Sequence, residues 1–265
     1  MTQLALGPKA ISAGFRCEAY DHIGSTNAEA LSRVRDGECG PIWFATTEQT
    51  AGRGRRDRTW IAPRGNLAAS ILEVMPIQPG IAATLGFAAG VAMINALQQA
   101  CGSHAADFRL KWPNDLLANG AKLSGILLEA EAAPDGRLAV VVGIGTNVVA
   151  APEGTAYPAT SLAALGIDTD AGHLFAALSD AWCDLRAIWD QGRGFAAIRT
   201  MWLAHAAGLG ERVHVSNGPA VTLDGIFDTI DEQGCLIVRG ADGRRTTLAA
   251  GDVYFGAAAS TKALA

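Results

Sequence analysis

The sequence predicts an α/β (α+β) protein in two unequal parts, and three observations carry that reading. Strand-like and helix-like runs alternate from about residue 15 to residue 206. After "AAGLGE" the helical period stops. Four short strand-like runs then follow, punctuated by Asn217-Gly218, Gln233-Gly234 and Asp242-Gly243, pairs suited to tight turns. The expected organisation is a mixed-sheet domain over 1–206, a small β-barrel module over 207–256 and a frayed tail over 257–265.

Taken in order, "FRCEAYDHI" reads as a strand and "STNAEALSRVRDG" as a helix. Ser25 or Thr26 is its N-cap, Glu29 closes a capping box on Thr26, and Gly37 ends it. "PIWFATTEQ" is a strand entering a loop crowded with arginines, and "NLAASILEV" is the strand leaving it. Residues 79–101 form the longest helical candidate, with Ile81, Leu85, Ala88, Ala92 and Ala96 on one face. "FRLKW" is a short strand, and "NDLLANGAKLSGILLEA" is a hairpin turning at Asn119-Gly120. "LAVVVGIGTNV" is a buried strand, followed by helices near 171–191 and 194–206. The last four runs are "RVHVS", "AVTLDGIFDTI", "CLIVRG" and "RRTTLAAGDVYF".

Bulk properties narrow the function. The chain has 265 residues, 49% of them apolar, and a net charge of -5, which opposes a broad basic face for nucleic acid. Five scattered cysteines without a CxxC pair suit a reduced, cytoplasmic protein better than a disulfide framework or a zinc site. The apolar run Ile81–Leu97 is interrupted by Thr84, Gly86, Gly90 and Asn95, so it reads as a buried helix and no membrane partner is expected.

Three motifs carry chemistry. "QTAGRGRRDRTW" sets Arg53, Arg55, Arg56 and Arg58 among Gly52 and Gly54, which allow close approach to a ligand. Guanidinium forks match phosphate and carboxylate oxygens. In an extended loop Arg53 and Arg55 point one way, Arg56 and Arg58 the other. The bland alternative is a solvated basic loop, and Trp60 beside it is either an aromatic lid or core packing. In "LKWPNDLL", Pro113 stops a strand and presents Asn114 and Asp115 at its end, either an ordinary turn or oxygen ligands for a divalent cation. Lys122 in "KLSGILLE" follows the hairpin turn and is placed over the same strand end, as a snorkelling surface group or a charge aimed into a pocket. In "VVVGIGTNV", Gly143 and Gly145 leave backbone bare for a flat ligand, and Asn147 offers an amide.

With "STNAEAL" and "GNLAASILE", these motifs in this order resemble the biotin protein ligases over about residues 15–150, and the β module fits that family's small SH3-like C-terminal domain. The resemblance implies an enzyme that makes biotinyl-5′-AMP from biotin and ATP-Mg²⁺ and passes biotin to one lysine of a biotin carboxyl carrier protein. It implies Lys122 as bridge between biotin carboxylate and α-phosphate, joined in catalysis by Arg53 and Arg55. Ser25, Thr26, Gln49, Gly52, Gly125, Leu127, Gly143 and Ile144 complete the implied biotin site. Arg56, Arg58, Trp60, Lys111, Asn114 and Asn147 join Arg55 and Lys122 on the nucleotide, and Asp115 serves the metal. The arginine loop is expected to close over the adenylate and keep water out.

The chain departs from the family pattern at Asp57, where glycine is usual, and at Thr146, where an aliphatic residue is common. Asp57 is expected to pair with Arg55 or Arg58 and so to bear on adenylate retention. Fewer than fifteen residues precede the first strand, too few for a winged helix-turn-helix, so a monofunctional enzyme without a nucleic-acid partner is expected, as monomer or homodimer. The competing reading within the fold is a lipoate or octanoate ligase or transferase. A polar set such as Ser25, Thr26 and Gln49 suits a ureido ring better than an alkyl chain.

Overall fold

A computed structural model describes residues 3–102, 106–155, 157–216 and 222–255. The expected turn at Asn217-Gly218 and the tail 257–265 lie outside the described residues. A seven-stranded sheet holds β1 (Arg16–Tyr20), β2 (Ile42–Thr46), β3 (Leu67–Met75), β4 (Phe108–Lys111), β5 (Asp115–Ala118), β6 (Ala121–Ala132) and β7 (Leu138–Thr146), in the order β1-β2-β3-β7-β6-β5-β4. Only β1 and β2 run parallel; every other neighbour is antiparallel. β8 (Arg212–Ser216), β9 (Thr222–Ile230), β10 (Leu236–Arg239), β11 (Arg245–Leu248) and β12 (Asp252–Phe255) make a second, antiparallel sheet in the order β11-β10-β9-β8-β12. The run "RRTTLAAGDVYF" is thus two strands, which sit at opposite edges of that sheet.

Strand alternation sorts the large sheet into two faces. Trp43, Ala45, Leu67, Ala69, Ile71, Val142, Ile144 and Ile126 face the helices α4 (Leu85–Cys101) and α5 (Ala171–Trp189). Edge-on rings tighten this core: Trp43 meets Phe175 at 5.6 Å and Trp182 at 6.2 Å. The short helix α1 (Pro8–Ser12) braces α5, and α6 (Phe195–Ala204) packs on α4. On the opposite face Ile42, Phe44, Leu72, Val74, Ala139 and Val141 pack beneath α2 (Thr26–Arg35). That helix covers only part of its face. The remainder is the floor of the site.

Two local expectations are corrected. Ser25 alone caps α2, accepting from Ala28 N at 3.4 Å, while Glu29 accepts from Arg33 Nε at 2.7 Å instead of closing a box. With Ser25 as N-cap the third helical residue is Ala28, so Glu29 is one residue too late. The helix over 79–101 breaks into α3 (Pro79–Ala82) and α4, and α5 is the longest helix. The Pro79–Cys101 stretch is long and apolar enough to cross a membrane, but 72% of its most apolar window is buried inside the protein. Core filling accounts for its composition. Asn119 and Gly120 take φ of 49° and 80°, as a type I′ hairpin requires.

One hydrophobic cluster runs without interruption from α4 and α5 into Val213, Val215, Phe227, Ile230, Leu236, Val238 and Val253 of the small sheet. Trp112 Nε1 donates to Gly234 O at 3.0 Å across the same boundary. The two sheets therefore hold each other in a fixed relation. Phe175→Ala should cost about 3–5 kcal/mol in urea unfolding; a loss below about 1 kcal/mol would mean that this aromatic cluster does not anchor the core.

Candidate functional site

A cavity of about 500 Å³ opens over the face that α2 leaves bare. Its floor is one cross-strand row, read directly from the ladder register: Thr46, Ala68, Gly145, Gly125, Asp115 and Lys111. Residues in such a row point to the same face. Small residues fill the middle, and a carboxylate and an ammonium stand at one end. A second row, Phe44, Ser70, Gly143 and Leu127, borders it.

Lys122 joins this floor through an irregularity. It lies three residues before Gly125, so strict alternation would aim it at the helices. A β-bulge in β6 prevents that: Leu116 pairs with Ser124 and Leu117 with Lys122, leaving Leu123 unpaired. Leu123 and Ser124 are both fully buried, Leu123 among the residues of the helix-side core. Lys122 is turned onto the cavity face, where its Nζ lies 2.7 Å from Asp115 Oδ1. Its ammonium also stands 5.5 Å from the centre of the Trp60 ring. Segment 158–160 fixes its backbone, with Lys122 N donating to Pro158 O and Thr160 N to Lys122 O.

The bare glycines are occupied by the protein's own side chains. A Cβ at Gly145 would lie 2.5 Å from the Trp60 indole, and one at Gly143 would lie 2.1 Å from Asn27 Oδ1. Trp60 thus packs against the floor as well as lining the cavity, and the space over Gly143 belongs to Asn27. Ile144 meets the cavity by its backbone. Lying between two cavity-facing glycines, it projects its side chain the other way into the helix-side core, with 1% exposure.

At the Gly143 end a polar network begins with Gln49, whose Oε1 accepts from Thr26 N at 2.8 Å and Thr26 Oγ1 at 3.2 Å. Thr26 Oγ1 is 2.7 Å from the Ser70 hydroxyl, which is 2.6 Å from Asn27 Oδ1. Asn27 Nδ2 donates to Glu129 Oε2 at 2.8 Å, and Arg53 Nη2 donates to the same oxygen at 2.9 Å. Gly52 is required beside Gln49, because a Cβ there would lie 2.3 Å from Trp60 O.

The arginine loop is a tight finger, not an extended strand. Gly54 N donates to Arg58 O and Trp60 N to Gly52 O, with a 3₁₀ turn at Arg55–Asp57 and Arg56 at φ 54°. The sorting of its arginines follows the expected pairs nonetheless. Arg53 reaches Glu129 and Arg55 Nη1 donates to Asn114 Oδ1 at 3.0 Å, both on the large sheet. Arg56 and Arg58 donate to Asp252 Oδ2 on β12. The Asp57 side chain, and with it the expected pairing to Arg55 or Arg58, lies outside what is described.

Electrostatically the cavity inverts the chain. Among the described residues Arg53, Arg55, Arg58, Lys111 and Lys122 line it against Asp115 and Asp252, in a protein of net charge -5. Burial pushes the Lys111 ammonium down to about 8, with Asp115 working against the shift. The Lys111 Nζ stands 3.6 Å from the Tyr157 ring centre and 5.7 Å from those of Tyr254 and Phe255, and no carboxylate lies within 4.0 Å of it among the described residues. Burial likewise lowers Arg55. Asn147 Oδ1 and Trp60 Nε1 are buried without a hydrogen-bond partner, and both residues line the cavity. A cavity so lined favours an anionic ligand that carries polar groups.

Residues 208–256 match the Biotin protein ligase C terminal domain family, and residues 36–147 match the Biotin/lipoate A/B protein ligase family. The chain is 43% identical to the biotin--[acetyl-CoA-carboxylase] ligase of Paracoccus denitrificans, over 88% of this chain and 97% of that one. It belongs to the biotin protein ligases. The enzyme of the same name from Mycobacterium tuberculosis is 34% identical over 96% of this chain and 95% of its own length. In fold the chain is similar to a biotin protein ligase from Aquifex aeolicus in complex with biotin and ATP, with a TM-score of 0.74 and 22% identity, covering 91% and 99% of the two chains.

All the expected site residues line the cavity except Gly52 and Arg56, which shape the loop above it. Reading the sequence missed Asn27, Ser70, Glu129, Tyr157, Asp252 and Tyr254. Asn27 lay inside a quoted motif, and its neighbour Thr26 was the available signal. Gly145→Ala should destabilise the protein by about 1–3 kcal/mol through overpacking against Trp60, and adding Trp60→Ala should remove most of that loss. A double variant as unstable as the sum of the two would show that Trp60 does not lie on Gly145.

Proposed function

We propose that this biotin protein ligase uses the floor row and its cations to join biotin to AMP, and then to release biotin to a carrier lysine. In the first step a biotin carboxylate oxygen bonds to the α-phosphorus of ATP while the bond to the bridging oxygen breaks and pyrophosphate leaves. Anion meets anion, so the barrier falls only where cations are already in position. The observation that carries the reading is Lys122 Nζ, turned onto the cavity face by the bulge and set 2.7 Å from Asp115. From there it reaches a carboxylate and an α-phosphate together.

In the second step the neutral amine of a carrier lysine attacks the acyl carbon, the acyl–oxygen bond breaks and AMP departs as phosphate monoester. The acceptor is the carrier domain of a biotin-dependent carboxylase, in keeping with the names of the relatives. Ser25, Thr26 and Gln49, with Asn27 and Ser70 behind them, form the polar end suited to a ureido ring. Leu127 gives apolar cover beside Gly143, and Ile144 contributes backbone alone. At the other end Arg55, Arg58 and Lys111 meet phosphate oxygens, with Tyr157 and Tyr254 around Lys111. The orphaned Asn147 Oδ1 accepts a hydrogen bond from the nucleoside.

Magnesium fits as a phosphate-borne ion. No cluster of three metal-ligating side chains occurs among the described residues, and Asp115 offers one carboxylate. One carboxylate completed by phosphate oxygens and water suits this cation. Bound there, it would neutralise the leaving pyrophosphate. The five cysteines are all free, which suits work in the cytoplasm.

Biotin-dependent exchange of labelled pyrophosphate into ATP tests the reading, with lipoate in place of biotin expected to give none. Lys122→Ala should slow that exchange by about 10²–10³-fold while biotin affinity changes far less; exchange at the parent rate would remove Lys122 from the chemistry. Lys111 supplies a pH signature. Its ammonium is lost as pH rises through about 8, so the KM for ATP should climb there, and Lys111→Gln should abolish the inflection. An unchanged inflection in that variant would assign it to another group.

A further inference from the structure

Two of the four loop arginines turn away from the floor. Arg56 Nη1 and Arg58 Nη2 both donate to Asp252 Oδ2, at 3.1 and 2.5 Å. That hydrogen bond holds the Arg58 guanidinium above its ordinary value. Asp252 opens β12, which pairs with β8 from Asp252↔Ser216 to Phe255↔Val213. Its post is rigid. Val253 is buried in the shared core, and a Cβ at Gly251 would lie 2.8 Å from Val215 and 3.6 Å from Trp112. Beyond the backbone ties at its base, Thr50 N to Ile23 O and Ala51 N to Gly24 O, the finger opposite is held to the large sheet by side chains, Arg53 to Glu129 and Arg55 to Asn114, and the bridge Arg53 to Thr59 lies within the finger itself.

The Arg58 side chain is 63% exposed, so its ion pair adds little to stability. A contact of that kind opens and re-forms readily, as a moving segment needs. Its partner is well placed for exchange as well. Asp252 lines the same cavity as Arg58, Lys111 and Lys122, where a carboxylate competes directly with phosphate oxygens for guanidinium donors.

We infer that Asp252 is a positioning residue, an internal counter-anion on the small sheet that latches the arginine loop over the cavity. It yields Arg56 and Arg58 to the incoming triphosphate and takes them back once pyrophosphate has left. The acyl-adenylate, with only one phosphate, is thereby kept under a closed loop until the carrier arrives. This rests on the adenylation reading above.

The test measures release of biotinyl-AMP from the full-length enzyme by rapid filtration of labelled adenylate, beside the KM for ATP and the melting temperature. Asp252→Asn keeps the shape and removes the charge. It should release adenylate about tenfold faster, label bystander lysines, and show a KM for ATP no higher than the parent's. Asp252→Glu should restore retention. Release at the parent rate would overturn the latch, and so would a raised KM for ATP with normal release, which would make Asp252 a nucleotide or metal ligand. A fall in melting temperature shared by both variants, with retention lost in both, would reduce Asp252 to a structural role and also overturn it. If the parent enzyme makes no biotinyl-AMP at all, the adenylation reading fails instead.

Discussion

The register of one row across the large sheet is the constraint on which the site depends. Thr46, Ala68, Gly145, Gly125, Asp115 and Lys111 come from six strands, yet the ladders force them to one face. A one-residue slip in any pair would send its neighbours to the helix side. Within the row, size decides use. Glycine and alanine leave room for Trp60, and the polar residues gather where the floor ends. The bulge at Leu123 is the single deviation, and it delivers the ammonium of Lys122 to the carboxylate of Asp115.

The second sheet completes the cavity without supplying its floor. Because one hydrophobic cluster spans both sheets, Asp252 and Tyr254 stand at fixed places beside residues far away in sequence. The cavity wall therefore has a rigid half and a half made of the arginine finger. Positive charge concentrated in an otherwise acidic chain favours anions in this cavity, and partial burial strengthens each interaction there.

Much of this was legible in the sequence because it was local. Asn119-Gly120 specifies its own hairpin, and that hairpin brings the backbone of Lys122 to the strand that carries Asp115. The arginine pairs sort as alternation suggests, even though the loop folds into a finger. Ile144 lines the cavity through its backbone alone, and the signal for that was available, since a residue flanked by two cavity-facing glycines must point its side chain away from the cavity. Glu129 could have been found by the same count along β6 from Gly125 and Leu127. Asp252, Tyr157 and Tyr254 could not, because only the packing of distant segments brings them to Arg58 and Lys111. The bulge was equally hidden: one unpaired residue leaves no mark in composition, yet it reverses the direction of Lys122.

A crystal structure with a non-hydrolysable biotinyl-adenylate analogue tests the central claim most directly. The account predicts that the ligand lies along the Gly125–Gly145 floor with Lys122 Nζ within about 3 Å of the phosphate mimic and the arginine finger above it. An analogue bound with Lys122 still paired to Asp115, out of hydrogen-bonding reach of the phosphate mimic, would contradict it.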